Sequence, residues 1–365
     1  MALGGHPAML TGVVSERFAY HPLNPIASLA SAIAQSKPDT IVPVDELAVM
    51  HLIELLRSVA SSTSGEELIA LAARSLGGVD VLSASMSRIT LLELAKAEGV
   101  AVPETIPVGS KDELEAAATH LGFPLVMKAD STAGGRGVRV ANNLAEARGW
   151  WSRLHRPLSL PRSVWRCVRL KEWTHFRPWI KRQMRGVTAQ RYLRGGERTA
   201  MAVANRGELQ AFVCFEVAQA SKFCGPSTVL RVVDDPAMVA AMRAVLRCIG
   251  VTGFCGFDFM LSEAGEPLLI EMNSRPTQLA HLPLGPGRDL VAAYVRSVLG
   301  RETADRASAA DGTLIALYPH ELMRDPKSQL IADAYHDVPW ESPALVRYAL
   351  QPLPEAITKD ARYRQ

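Results

Sequence analysis

Apolar residues recur at helical spacing between Leu114 and Leu121, where Leu114, Ala117, Ala118 and Leu121 share one face. Ser110 and Glu113 precede them as a capping box, and Gly122 follows as a stop. The apolar run Pro124 to Ala129 then predicts a strand, Asp130 to Gly137 a glycine-rich loop, and Val138 to Ala141 a second strand. Further on, the spacing predicts a helix over Pro236 to Ile249, with Val239, Met242, Leu246 and Ile249 inward. Nearer the start, Asp39 to Val44 predicts a strand, and Asp45 and Glu46 open a helix over Leu47 to Arg57. Acids suit the N-terminal end of a helix dipole, so capping is favoured over catalysis for these two. Asp289 to Leu299 predicts a closing helix, and Leu314 to Tyr318 a strand. Strands and helices in this mixture place the chain in the α/β class, in its broad α+β sense.

Gly253 to Pro276 carries the most pointed chemistry. The runs Phe257 to Leu261 and Pro267 to Asn273 flank the polar turn Ser262 to Glu266, which predicts a hairpin. Pairing them sets Asp258 opposite Glu271, with Asn273 on the face of Glu271. Like charges facing each other repel, and the strands themselves offer neither acid a basic partner. A cation is the simplest resolution. Mg²⁺ suits hard oxygen ligands in this number, since it completes its shell with water and phosphate.

In the loop after Ala129, Gly134, Gly135 and Gly137 allow close backbone approach to an anion, and Lys128 leads in as a point charge for phosphate. The spacing fits neither a Walker P-loop nor a dinucleotide fingerprint, and a strand follows where a helix would be needed.

Together these segments resemble the ATP-grasp superfamily, in the branch of biotin carboxylase and the carbamoyl phosphate synthetase large subunit, over roughly Asp39 to Pro286. The resemblance implies an ATP-grasp fold preceded by a partial Rossmann-like domain. It assigns Lys128, Gly134, Gly135 and Gly137 to the triphosphate, and Arg88, in place of the more usual lysine, to the nucleotide as well. Gln190, Arg191 and Leu193 fall on the hinge strand that reads the adenine, with Gln190 where many members carry an acid. Asp258, Glu271 and Asn273 match ligands for Mg²⁺, for which Mn²⁺ can stand in, and Arg275 matches the arginine that neutralises the reacting group. Implied domains are 1–83 (Rossmann-like), 84–188 (small lid subdomain), 189–300 (large subdomain) and 301–365 (C-terminal extension). Where such a domain opens on a strand and a glycine turn, this chain opens on MALGGHPAML, so that first strand is expected to be missing or the domain abbreviated.

Composition changes the picture at one place. Residues 148–185 hold eleven Lys or Arg against the single acid Glu172, giving +10 within a chain of net +3, and five of the six tryptophans. Basic residues interleaved with aromatics suit an anionic surface. A variable insertion packed on the lid is favoured, an anionic membrane surface comes next, and nucleic acid last. The five cysteines, Cys167, Cys214, Cys224, Cys248 and Cys255, lack zinc or redox spacing and read as reduced thiols. With no run of about 18 apolar residues and no signal peptide, a cytoplasmic protein is expected, with homo-oligomerisation open.

Lys222, Ser227 and Arg231 precede the hairpin, and Arg231 is the candidate to hold a substrate carboxylate. The function expected is a carboxylate–amine ligase: ATP phosphorylates a carboxylate, and an amine or similar nucleophile displaces the phosphate. Two other readings stay open: a bicarbonate-dependent half reaction, and a non-catalytic nucleotide-binding or membrane-associated subunit.

Overall fold

The computed structural model describes residues 7–21, 23–60, 65–130, 135, 137–156, 164, 185–222, 225–306 and 314–351. After a 3-10 turn at Pro7–Leu10, the described residues form four α-helices, α1 (Pro25–Ser36), α2 (Glu46–Val59), α3 (Glu66–Leu76) and α4 (Val79–Met86), followed by α5 (Arg88–Ala97). Val49, Leu52, Leu56, Ala72, Leu76 and Leu82 form the core of the first four. Among the described residues before Arg88 there are helices and no strand. The strand expected over 39–44 does not form, because its polar groups find other partners. Ile41 N–H donates to Ser75 Oγ at 3.1 Å, and Arg74 Nε donates to the Asp39 carbonyl at 3.2 Å. Asp45 caps α2 as expected, its carboxylate accepting from Ala48 N–H at 2.7 Å.

A four-stranded antiparallel sheet follows, built from β1 (Thr105–Pro107), β2 (Leu125–Ala129), β3 (Val138–Ala141) and β4 (Val187–Arg191) in the order β1-β4-β2-β3. The helices α6 (Lys111–Leu121) and α7 (Leu144–Leu154) pack on one of its faces. The expected apolar face of α6 is the buried one, and Ser110 accepts from Glu113 N–H while Glu113 accepts from Gly109 N–H. Leu125, Met127, Val187 and Ala189 point into that helix-covered core. By alternation Val126, Lys128, Thr188 and Gln190 lie on the opposite face.

The larger sheet has seven strands in the order β11-β10-β7-β6-β5-β8-β9. They are β5 (Glu197–Asn205), β6 (Glu208–Ala220), β7 (Ser227–Val233), β8 (Gly253–Leu261), β9 (Pro267–Asn273), β10 (Leu314–Ala316) and β11 (Tyr335–His336). One face is covered by α5 and α8 (Pro236–Ile249), around Phe257, Phe259, Cys255 and Met242. The other packs Met201, Val203 and Phe215 under α9 (Leu290–Ser297) and the segment Leu279 to Leu284. In α8 the fully buried residues are Met238, Met242, Val245 and Leu246, so the helix is turned from the expected face and Val239 and Ile249 only flank the core. Short helices α10 (His320–Arg324), α11 (Gln329–Asp333) and α12 (Pro343–Ala349) complete the described chain. Cys214 and Cys255 are buried free thiols and Cys248 is exposed; Cys167 and Cys224 lie outside the described residues.

Candidate functional site: a cleft between the two sheets

The hairpin β8–β9 sets Asp258 opposite Glu271 and Gly256 opposite Asn273. Asp258 Oδ1 accepts a hydrogen bond from Thr199 Oγ1 on β5 at 2.9 Å. Burial and the Glu271 charge push the Asp258 carboxyl up to about 7, against the opposing Thr199 hydrogen bond. Two carboxylates whose joint ionisation is resisted in this way are what a divalent cation relieves. Arg275 NH2 donates to Asn273 Oδ1 at 3.1 Å, which orients that amide beside Glu271.

Contrary to the expectation from the strands alone, Glu271 does have a basic partner. Arg88, the first residue of α5, reaches Glu271 Oε2 through NH2 at 3.3 Å and Asp130 Oδ1 through NH1 at 3.1 Å. Glu46, Ser85, Arg88, Asp130, Glu271 and Ser274 to Arg275 line one cleft, where the helical N-terminal part, the base of the glycine loop and the hairpin meet. Burial and the Glu271 charge raise the Glu46 carboxyl. Burial likewise raises Asp130, against the attraction of Arg88.

Lys128 stands across β2–β4 from Thr188, on the lid-sheet face turned away from α6 and α7. Glu197 connects it to the hairpin: burial raises this carboxyl, the Lys128 charge lowers it, and Glu197 in turn acts on Asp258. Three buried polar atoms around the site have no hydrogen-bond partner, namely Arg88 Nε, Thr188 Oγ1 and Ser274 Oγ. Unpaired buried polar groups are uncommon and call for a ligand or ordered solvent. Of the glycines, Gly135 adopts φ +70°, the left-handed region that favours glycine, and Gly137 accepts from Ala129 N–H at 2.9 Å; Gly134 lies outside the described residues.

The residues expected on the adenine side lie on β4 or just beyond its end. Gln190 is 3% exposed and donates from Nε2 to Thr105 Oγ1 at 2.7 Å. Arg191 is paired with Glu104 at 2.5 Å, and Leu193 follows the end of β4. Arg231 is not brought to the cleft. Its rung runs Arg231, Glu216, Arg198, Phe259 across β7, β6, β5 and β8, while the adjacent rung runs Val232, Phe215, Thr199, Asp258. Adjacent rungs face opposite sides, so Arg231 points away from the side of Asp258 and Glu271. Most of the basic tryptophan segment 148–185, and with it any surface it forms, lies outside the described residues. Sequence reasoning missed Asp130, Glu197, Thr199 and Thr188, and took Glu46 for a cap. Only Asp130, an acid beside the glycine loop, carried a local signal.

The residues present therefore suit a nucleotide with a divalent ion. Asp258 and Glu271 could supply carboxylates, Asn273 an amide, and Lys128, Arg88 and Arg275 positive charge. Among the described residues no three His, Cys, Asp or Glu side chains converge on a metal position. A pair of carboxylates is enough for Mg²⁺ when phosphates complete the shell.

Two family models match the chain: an ATP-grasp domain over residues 168–278 and a carbamoyl-phosphate synthase L chain ATP-binding domain over 88–155. Two stretches of the chain thus match ATP-grasp-type ATP-binding domains. A curated relative, the formate-dependent phosphoribosylglycinamide formyltransferase of Prochlorococcus marinus (strain MIT 9313), is 30% identical over 149 residues, covering 40% of this chain and 34% of the relative. The chain thus matches about a third of that relative's length. In fold the chain resembles N5-carboxyaminoimidazole synthase of Aspergillus clavatus, solved with ADP and 5-aminoimidazole ribonucleotide. Its TM-score is 0.60 at 13% identity, covering 84% of this chain and 72% of the other. The biotin carboxylase domain dimer of the 2-oxoglutarate carboxylase of Hydrogenobacter thermophilus, solved with MgADP, ADP and bicarbonate, gives a TM-score of 0.56 at 15% identity, covering 78% and 60%. No single helix among the described residues is long and apolar enough to cross a membrane.

Proposed function

We propose that this chain is an ATP- and Mg²⁺-dependent ligase that activates a carboxylate as an acyl phosphate for attack by an amine or similar nucleophile. The observation that carries this reading is Glu271, which faces Asp258 across the hairpin and lines one cleft with Arg88, Asn273 and Arg275, with Lys128 acting on Glu197 and Glu197 on Asp258. Names of its relatives agree in kind, since formate, bicarbonate and a ribonucleotide amine appear among them.

Transfer of this type needs positioning and neutralised charge more than a protein nucleophile. A carboxylate oxygen of the substrate attacks the γ-phosphorus and ADP leaves; the amine nitrogen then attacks the acyl carbon and phosphate leaves. Lys128 and Arg88 would supply positive charge to the phosphates, and Arg275, hydrogen-bonded to Asn273, would neutralise the acyl phosphate. Asp258, Glu271 and Asn273 would hold Mg²⁺, or Mn²⁺ in its place, which supplies further charge neutralisation when bound. Gly134, Gly135 and Gly137 would close over the triphosphate, with Gln190, Arg191 and Leu193 on the adenine side.

A screen of pooled carboxylates with ATP, Mg²⁺ and hydroxylamine tests the reading. The expected result is a hydroxamate formed in step with ADP. AMP and pyrophosphate would instead mean adenylation and refute the acyl phosphate. ADP release stimulated by bicarbonate alone would point to the carboxylase-like half reaction, and no turnover with any acid to a non-catalytic binding protein.

The +10 charge of residues 148–185 supports a second reading, contact with an anionic membrane, beside the favoured plain insertion. Co-sedimentation with phosphatidylserine vesicles at low salt, lost at 1 M where screening shortens to about 3 Å, is the expected outcome. Unchanged binding after replacing Arg166, Arg169 and Lys171 by Gln would leave the segment a plain insertion.

A further inference from the structure

Asp130 closes the base of the glycine loop. Its N–H donates to the Gly186 carbonyl at 2.9 Å, one residue beyond the Ala129 to Gly137 bond. Its carboxylate turns into the cleft and meets Arg88 NH1 at 3.1 Å. The Arg88 side chain is only 10% exposed, its NH2 reaches Glu271 at the longer distance of 3.3 Å, and its Nε has no partner. The space for this carboxylate is built into the chain. A Cβ on Gly186 would lie 2.4 Å from Asp130 Oδ2, and Gly186 is not in the left-handed region, so the missing side chain serves room and not backbone freedom.

We infer that Asp130 is a positioning residue, which holds the Arg88 guanidinium toward the nucleotide phosphates. The inference rests on reading the cleft as a nucleotide site. In that reading Glu271 shares its carboxylate with the metal ion, so its hold on Arg88 is the one that yields. Asp130 is left to fix the direction of the guanidinium fork. A planar fork needs an orienting acid more than a point charge does, and without one the long side chain spreads over its rotamers.

Calorimetric titration of MgADP into the full chain tests this without a known substrate. The set is wild type, Asp130→Asn, Asp130→Glu, Gly186→Ala, Arg88→Gln and the double variant of Asp130→Asn with Arg88→Gln. Asp130→Asn and Gly186→Ala should each weaken MgADP about tenfold, the scale of one charge-assisted hydrogen bond, with thermal midpoints close to wild type. Asp130→Glu should recover part of the loss, and the double variant should bind no more weakly than Arg88→Gln. Gly186→Ala displaces the carboxylate while leaving both partners in place, so it decides the matter if Asp130→Asn folds poorly. Absence of MgADP binding in the wild type would overturn the nucleotide reading of the cleft itself. Wild-type binding with Gly186→Ala and Asp130→Asn within about twofold of it, or losses that multiply in the double variant, would overturn the positioning role alone.

Discussion

Asp258 and Glu271 face each other because Ile270 is an extra residue in β9. From the turn, Leu261 pairs with Pro267 and Phe259 with Leu269, so an unbroken ladder would bring Ile270 opposite Asp258; the ladder instead shifts and Glu271 takes the place. A bulge of this kind re-aims a side chain at the cost of one unpaired residue. Here it brings a second carboxylate to the half-buried Asp258 and leaves Phe259 and Leu269 in the core on the other face.

Glu271→Gln should therefore disable the site and spare the fold. The β8–β9 ladder does not depend on the carboxylate, and Arg88 keeps Asp130. Turnover should fall by about 10² to 10³, the loss seen for a group that stabilises transition-state charge. ADP release titrated with Mg²⁺, read beside thermal unfolding, checks it. Activity within a few-fold of the parent would rule out Glu271 as a metal ligand.

Much of this was legible locally. The face of α6 followed from Leu114, Ala117, Ala118 and Leu121, because a helix surrounded by polar positions has one way to turn. The apolar surface of α8 is wider, so Val239 and Ile249 were as plausible inward as Met238 and Val245, and only packing against β6 and α5 decided it. Asp39 to Val44 has strand composition, but a strand exists only with a ladder partner, and Ser75 and Arg74 bind its backbone instead. Arg231 failed for a related reason: its face depends on registers through β6 and β5, which no local pattern encodes. Arg88 and Glu271 are 183 residues apart, beyond any spacing rule.

Gln190→Glu offers a test of the lid sheet. The Gln190 amide donates to Thr105 Oγ1, and that hydroxyl already donates to the Pro103 carbonyl at 2.9 Å. A carboxylate here would be buried against an oxygen whose proton is committed. The variant should lose about 2 kcal/mol near pH 8, the order of one unsatisfied buried group. Burial raises the folded pKa of such an acid above its unfolded value, so the penalty shrinks as pH falls toward about 4. Urea unfolding at both pH values checks it, and a pH-independent loss would contradict the burial argument.

Asp289 gives an acid-stability prediction of the opposite sign. Its carboxylate is fully buried; burial pushes its pKa up, but hydrogen bonds from the Arg306 side chain and backbone and from Ala292 N–H outweigh that and hold it at about 2. A depressed folded pKa contributes stability that is present above the unfolded value near 3.8 and lost as pH falls through about 2. The contribution is about 2 kcal/mol. Asp289→Asn should be destabilised by that order at pH 6, and the gap to wild type should narrow between pH 4 and 2. A gap that stays constant over this window would mean that packing and the α9 cap, not the charge, carry the effect.

Arg275→Ala separates nucleotide binding from chemistry. Arg275 donates to Asn273 Oδ1, and through NH1 at 3.4 Å to the Pro276 carbonyl, so its guanidinium is fixed at the end of β9 and not by the lid. Lys128 and Arg88 are untouched by its removal, and MgADP should still bind within a few-fold of wild type. Hydroxamate formation and ADP release should fall together, by about 10² or more, because in the proposed reaction the lost charge neutralises the group being transferred. Arg275→Lys should recover some activity but not all, since an ammonium keeps the charge and loses the planar fork that holds Asn273. If instead MgADP binding collapsed while the residual turnover kept its parent rate at saturating nucleotide, Arg275 would belong to nucleotide binding, and another cation would have to neutralise the acyl phosphate.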